Sequence, residues 1–138
     1  MTVADVQRFG RDLWLPEAGD ESLRVTASGD LPCRQGRPNL ESAIRRCICT
    51  TPGDLTHRPR FGAGLLDRLE GSTSPAARSA LANAIRSALL ADPRILEVAV
   101  SVQAGAGDEP RAAALTVEVT YRPARDDRST TVTYEFAE

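Results

Sequence analysis

The stretch "SPAARSALANAIRSALLADPRILEVAVSVQ" (residues 74–103) predicts a helix that is followed directly by a strand. Ser74 can cap this helix, with Pro75 at its first position. Apolar residues then recur at helical spacing along one side, and they are Ala77, Leu81, Ala84, Ile85, Ala88 and Leu89. Pro93 disfavours helical geometry at Asp92, so the helix should end there and the chain should leave extended.

Three strand-like runs follow this helix, over residues 94–136. Their apolar faces are Leu96, Val98, Val100 and Val102, then Leu115, Val117, Val119 and Tyr121, and finally Thr130, Val132, Tyr134 and Phe136. The connections are short enough for an antiparallel meander. A sheet with one apolar face needs cover, which the alanine-striped helix can provide. The fold class is therefore expected to be α+β, with a C-terminal three-stranded antiparallel meander packed against helices.

The residues before this segment are expected to form a helical part (38–92) and an extended N-terminal arm (1–37). A helix is predicted from residue 38, with Asn39 as its cap and Cys47 in the core, and it should end at Pro52-Gly53. The arm has no sustained periodicity, and one short strand is expected within residues 22–31, with Trp14 as a packing anchor. At 138 residues the chain should be a single domain, 1–138.

Composition excludes several function classes. The formal charge of −2 gives no strong attraction to nucleic acid or anionic membranes. The sequence has no run of 18 apolar residues and no secretion signal. We therefore expect a cytoplasmic location and no membrane insertion. The three cysteines, Cys33, Cys47 and Cys49, do not predict a disulfide framework, and with only one histidine no metal site or other cofactor is expected.

No pattern specific to an enzyme is present, and no catalytic residue is assigned. His57 is the only histidine, and the chain has no phosphate-binding loop of the G-x-x-x-x-G-K-[ST] type. The position of the last strand is more informative, because a strand that ends a meander lies at a sheet edge with free backbone groups. That edge could accept a strand from a partner, or it could be covered by the N-terminal arm, and the sequence leaves both open.

The segment "GRPNLESAIRRCICTTPGDLTHRPRFGAGLLDRL" (36–69) resembles the small baseplate wedge family of contractile phage tails. This family includes a type VI secretion subunit and the sheath initiators of phage-derived injection particles. The match begins at Asn39-Leu40 and continues through a loop motif of Pro52, Gly53, His57, Pro59, Phe61, Gly62 and Gly64. The chain departs from the family at Cys47, where leucine is usual, and at Asp92, where the family's Glu-Pro-Arg signature has glutamate.

The resemblance implies a structural role in a contractile injection system. Asp92, Pro93 and Arg94 are expected to contact the paired wedge proteins around the central hub, unless Asp92 and Arg94 form only an intramolecular salt bridge. The last strand is expected to accept an arm from the first sheath ring and so to template sheath assembly. The residues of that strand are Thr130, Thr131, Val132, Thr133, Tyr134, Glu135 and Phe136.

The partners implied by the resemblance are baseplate wedge proteins, hub or tube-proximal proteins, and the sheath protein. Six copies per baseplate are expected, in the cytoplasm until assembly and afterwards in a phage tail-like particle. Some relatives carry a lysozyme label, so a glycan-cleaving enzyme is the alternative function.

Overall fold

The computed structural model of the chain describes residues 3–14, 24–69, 74–105 and 114–136. Its elements are α1 (Val3–Phe9), β1 (Arg11–Leu13), β2 (Cys33–Gln35), α2 (Arg37–Cys49), α3 (Leu65–Leu69), α4 (Pro75–Leu90), β3 (Ile95–Ala104), β4 (Leu115–Pro123) and β5 (Thr130–Phe136). This order confirms the α+β class. The chain divides into two compact units, Met1–Ala43 and Ile44–Glu138. That the whole chain forms a single domain, 1–138, stays a prediction.

The second unit contains the predicted meander. Its sheet has the order β3-β4-β5, both pairs are antiparallel, and α4 packs against β3. The predicted cap of α4 is confirmed, since the Ser74 hydroxyl accepts a hydrogen bond from the Ala77 N–H at 3.2 Å. Leu81, Ile85 and Leu89 of α4 are buried, and each contributes about 1.5–3 kcal/mol by leaving water.

The alternation predicted for the strands is confirmed in β4 and β5 and is wrong at the start of β3. Leu115, Val117, Val119 and Tyr121 are buried, as are Tyr134 and Phe136. In β3, however, Ile95 is 5% exposed and Leu96 is 51% exposed. The pairing with β4 shifts register between Ile95 and Glu97, and the extra residue of this bulge turns Leu96 outward.

The first unit differs from the expected extended arm. Residues Val3–Phe9 form a helix, with an acidic residue in its first turn and a basic one in its last, as the helix dipole favours. The predicted strand is not found in the described residues 24–31. There Thr26 N–H bonds the Asp30 carbonyl at 2.8 Å, and Asp30 N–H bonds the Thr26 hydroxyl at 3.1 Å. Such local bonds compete with strand pairing, so the paired segment is instead Cys33–Gln35, antiparallel to Arg11–Leu13.

Two side chains of the first unit also differ from expectation. Trp14 is only half-buried, and the guanidinium groups of Arg24 and Arg34 lie 5.4 Å and 5.7 Å from its ring centroid. Asn39 does not cap α2, because the helix begins at Arg37 and the Gly36 carbonyl already accepts from the Asn39 N–H. The buried Asn39 amide donates instead to the Phe9 carbonyl at 2.9 Å, which joins the end of α1 to the first turn of α2.

Within the described ranges, no helix is both long enough and apolar enough to cross a bilayer.

Candidate partner-binding site

The loop motif after α2 folds back onto the end of its own helix. The N–H of Ala63 donates to the Cys47 carbonyl at 2.9 Å, and the N–H of Gly64 donates to the Thr50 carbonyl at 3.0 Å. The Thr50 hydroxyl in turn donates to the Arg46 carbonyl at 2.7 Å. The last carbonyls of a helix have no partner within the helix, so these bonds cap α2.

Gly62 makes this return possible. Its φ is +109°, and a Cβ added there would lie 2.0 Å from the Thr50 carbonyl oxygen, so no other residue fits without a backbone shift. Gly62 and Gly64 are buried and Phe61 is half-buried, whereas the motif residues Pro52, Gly53, His57 and Pro59 are exposed. The motif therefore has an inner part that holds the loop and an outer part that faces solvent.

Arg58 lies in the exposed part of this loop, and sequence reasoning did not single it out. Its guanidinium is 4.7 Å from the Phe61 ring centroid, which is within the range of a cation–π interaction. Burial raises the pKa of the Cys47 thiol, and the charge of Arg58 partly opposes that rise. The charge of Arg58 also contributes to lowering the pKa of Asp92, so the loop motif and the Asp92-Pro93-Arg94 segment are electrostatically linked.

Asp92 and Arg94 form a two-pronged ion pair within the chain. The Arg94 Nε donates to Asp92 Oδ1 at 2.9 Å, and Nη2 donates to Oδ2 at 2.6 Å. The Arg94 backbone N–H also donates to Oδ1, at 2.9 Å. Because Asp92 N–H bonds the Leu89 carbonyl at 3.0 Å, the pair closes the end of α4 at the point where the chain enters β3.

Burial by itself would raise the pKa of Asp92. The hydrogen bonds and charge of Arg94, with a contribution from Arg58, outweigh burial and hold that pKa below its ordinary value. The side chains of Asp92 and Arg94 are still 26% and 30% exposed. The intramolecular pair considered as an alternative is thus present, and it also stays at the surface, where contact with a partner remains a prediction.

The backbone groups of β5 alternate between β4 and the outer side of the sheet. The N–H of Gly105 donates to the Ala114 carbonyl at 2.7 Å, which fixes which residues of β4 bond to β3 and which bond to β5. With the register of β4 and β5, this leaves the N–H and C=O groups of Thr131, Thr133 and Glu135 pointing away from the sheet. Among the described residues, no strand pairs with that edge.

The side chains of β5 divide between the two faces of the sheet. Tyr134 and Phe136 are buried, and Thr130 and Val132 are half-buried on the same face. Thr131, Thr133 and Glu135 are exposed, and the Thr131 hydroxyl lies 2.9 Å from that of Thr120 across the β4–β5 pair. This strand forms the edge of the sheet opposite β3, and it is the second candidate surface.

Two further polar contacts were missed by sequence reasoning. Arg122 forms an ion pair with Glu97 across the β3–β4 pair, and its Nε lies 3.0 Å from Glu97 Oε2. Arg86 of α4 donates through Nε to the Val98 carbonyl at 3.3 Å. Both depend on which strand or helix lies beside which, and no local sequence signal reports that. In the part of the chain that the structure describes, no three His, Cys, Asp or Glu side chains are grouped as metal ligands.

Solved structures with a similar fold include chains of two baseplates. One is a chain of the baseplate complex from the type VI secretion system, with 18% identity, 73% of this chain and 92% of that chain covered, and a TM-score of 0.58. A second belongs to the sixfold-symmetrised baseplate of the anti-feeding prophage, with 20% identity, coverage of 80% and 78%, and a TM-score of 0.54. A third, from Geobacter sulfurreducens, is named as a candidate tail lysozyme, with 22% identity, coverage of 83% and 95%, and a TM-score of 0.58.

These identities are low enough that the three structures establish the fold alone. No curated protein matches the chain by sequence. A family model described as baseplate wedge protein gp25 matches residues 34–128, which is more than half of the chain and includes α2, the loop motif and Asp92-Pro93-Arg94. The chain therefore belongs to the baseplate wedge protein gp25 family.

Proposed function

We propose that this protein is a structural baseplate component that joins wedge proteins to the first sheath ring and templates the sheath by accepting a β-strand at β5. The observation that carries the proposal is the regular seven-residue edge of β5, whose outward backbone groups at Thr131, Thr133 and Glu135 pair with no strand among the described residues. Strand addition would set the register of an incoming segment, because its side chains must alternate between the two faces.

The wedge side of the proposal rests on Asp92, Pro93 and Arg94. The ion pair fixes the direction in which Arg94 points, and its partial exposure leaves it accessible to a neighbouring protein. The wedge proteins and the hub or tube-proximal proteins are the partners on this side. The sixfold symmetry applied to the anti-feeding prophage baseplate supports six copies per particle, and assembly would begin in the cytoplasm.

The two described carboxyl groups with a shifted pKa do not suit glycan cleavage. A glycosidase needs one carboxyl group whose pKa is raised so that it can act as a general acid. Where the structure describes carboxyl groups with a shifted pKa, at Asp92 and Glu97, arginine partners lower it. These two side chains are therefore suited to ion pairing and not to proton donation.

The strand-acceptor role is tested by Thr133→Pro in the native host. The Thr133 N–H points outward, so proline removes an edge donor without breaking a β4–β5 hydrogen bond. We expect baseplates that contain the variant but carry no sheath in negative-stain microscopy. Thr133→Ala, which keeps the N–H, is the control and should give sheathed particles. Normal sheathed particles from Thr133→Pro would contradict the proposal.

A further inference from the structure

The two edges of the three-stranded sheet differ in how their outward backbone groups are occupied. On β5, the backbone N–H and C=O groups of Thr131 and Thr133 point away from the sheet. On β3, at the opposite edge, those of Val98, Val100 and Val102 do so. Neither edge is paired with another strand among the described residues. By backbone geometry alone, a partner strand could add to either side.

The β3 edge has one outward carbonyl already bonded. Arg86 projects from α4 and donates its Nε–H to the Val98 carbonyl at 3.3 Å, which is the group that a strand added to β3 would need. The alternation of the β3–β4 ladder independently places this carbonyl on the outer side. A bulge at Ile95–Glu97 lies just before it and bends the start of the strand.

The β3 edge would otherwise attract a strand. Val100 and Val102 are only half-buried, so an added strand could cover part of their apolar surface. Charged side chains and bulges at an edge are established ways of preventing such pairing. The β5 edge has no bulge, since its register with β4 runs without a shift from Thr130 to Phe136. Its one charged side chain, Glu135, lies near the end of the strand.

We propose that Arg86, together with the adjacent bulge, closes the β3 edge, so that this sheet accepts a strand on the β5 side alone. This inference rests on the strand-acceptor role proposed above. The closure makes strand addition directional, because each copy then has one acceptor edge. Arg86 acts by occupying the Val98 carbonyl and needs no contact with the sheath. Its removal should open β3 to the most readily available strand, which is the β3 edge of a second copy of this chain.

The test compares Arg86→Met with the full-length wild-type chain. Methionine keeps an apolar stem and loses the donor. We expect sedimentation velocity to show a monomer for the wild type and a concentration-dependent dimer for Arg86→Met. Backbone hydrogen exchange at Val100 and Val102 should slow about tenfold or more in that dimer, as expected when exposed amides enter a ladder. Arg86→Lys, which retains a donor, and Arg78→Met, on the same helix, should both remain monomeric.

An Arg86→Met variant that stays monomeric, with unchanged exchange at Val100 and Val102, would overturn the proposal. If that variant does not fold, the wild type decides the question through the Nε–H of Arg86 in nitrogen-correlated NMR spectra. Exchange about tenfold slower than that of the exposed Arg60 supports the hydrogen bond, and equal exchange refutes it. No sheath protein enters these measurements, so they are independent of the Thr133→Pro result.

Discussion

Replacing Gly62 by alanine tests whether the loop motif is held by a close approach of backbone to backbone. Gly53 provides a matched control in the same loop. Its φ is +104°, against +109° for Gly62, but a Cβ at Gly53 meets nothing within 4 Å, whereas one at Gly62 would lie 2.0 Å from the Thr50 carbonyl oxygen. The difference between the two variants therefore isolates the steric overlap from the strain of positive φ.

The expected magnitudes follow from these contacts. Alanine at positive φ costs about 1–3 kcal/mol, and the less flexible unfolded chain offsets about 0.4–1 kcal/mol of this cost. The free energy of unfolding of Gly53→Ala should therefore be lower than that of wild type by about 1–2 kcal/mol. At Gly62 the segment must also move away from Thr50. That movement stretches the Gly64 N–H bond to the Thr50 carbonyl and the Ala63 N–H bond to the Cys47 carbonyl. Each hydrogen bond lost at this partly buried helix end adds about 1–3 kcal/mol. The free energy of unfolding of Gly62→Ala should therefore be lower than that of wild type by about 4 kcal/mol or more.

Urea unfolding followed by circular dichroism measures both variants. A loss of about 4 kcal/mol is a large fraction of the roughly 5–15 kcal/mol that stabilises a typical domain, so a Gly62→Ala chain that is mostly unfolded agrees with the reasoning. Two unfolding free energies that lie within about 1 kcal/mol of each other would refute it, because the strain of positive φ would then explain both.

Three further predictions concern the end of α4 and the start of β3. The folded state lowers the pKa of Asp92, so the stability that its ion pair contributes should be complete above the unfolded pKa of about 4 and decline as pH falls through the lower folded value. Asp92→Asn should therefore have a lower free energy of unfolding in urea than wild type at pH 7, and this gap should narrow as pH falls below about 4. A gap that stays constant at low pH would contradict this assignment. Arg94→Ala should have a free energy of unfolding within about 1 kcal/mol of the wild-type value, since the ion pair is partly exposed, but the variant should not co-purify with baseplates. A variant that does not fold would instead show that Arg94 is required for stability. In the same urea assay, Ile95→Ala should lower the free energy of unfolding by about 2–4 kcal/mol and Leu96→Ala by less than about 1 kcal/mol. The reverse order would contradict the bulge.

Much of the fold could be predicted because local chemistry determines it. The stripe of Leu81, Ile85 and Leu89 has helical spacing, Ser74 caps the helix, and Pro93 prevents its continuation, so α4 follows from residues close together in the chain. The alternation of Val117, Val119 and Tyr121 indicates β4 in the same way. The loop motif was also visible in sequence, although the clash that requires Gly62 depends on Thr50, twelve residues earlier.

Predictions were wrong where the chain had a choice that only distant contacts settle. Helix Val3–Phe9 is too short for its period to be distinctive, and isolated helices of that length are unstable, so tertiary contacts such as the burial of Phe9 decide its formation. Asn39 is a residue type that often caps helices, but its side-chain amide donates a hydrogen bond to the Phe9 carbonyl, thirty residues away.

By itself, the sequence determined the α+β class, the core faces of β4 and β5, and the resemblance to baseplate wedge proteins. Only the tertiary structure decided which backbone groups face outward at each sheet edge, that Asp92 holds Arg94 within the chain, and that Arg86 bonds the Val98 carbonyl. The physical reason is that periodicity and capping act over a few residues, whereas register and edge occupancy depend on which segments pack side by side, and that balance is set by the whole core.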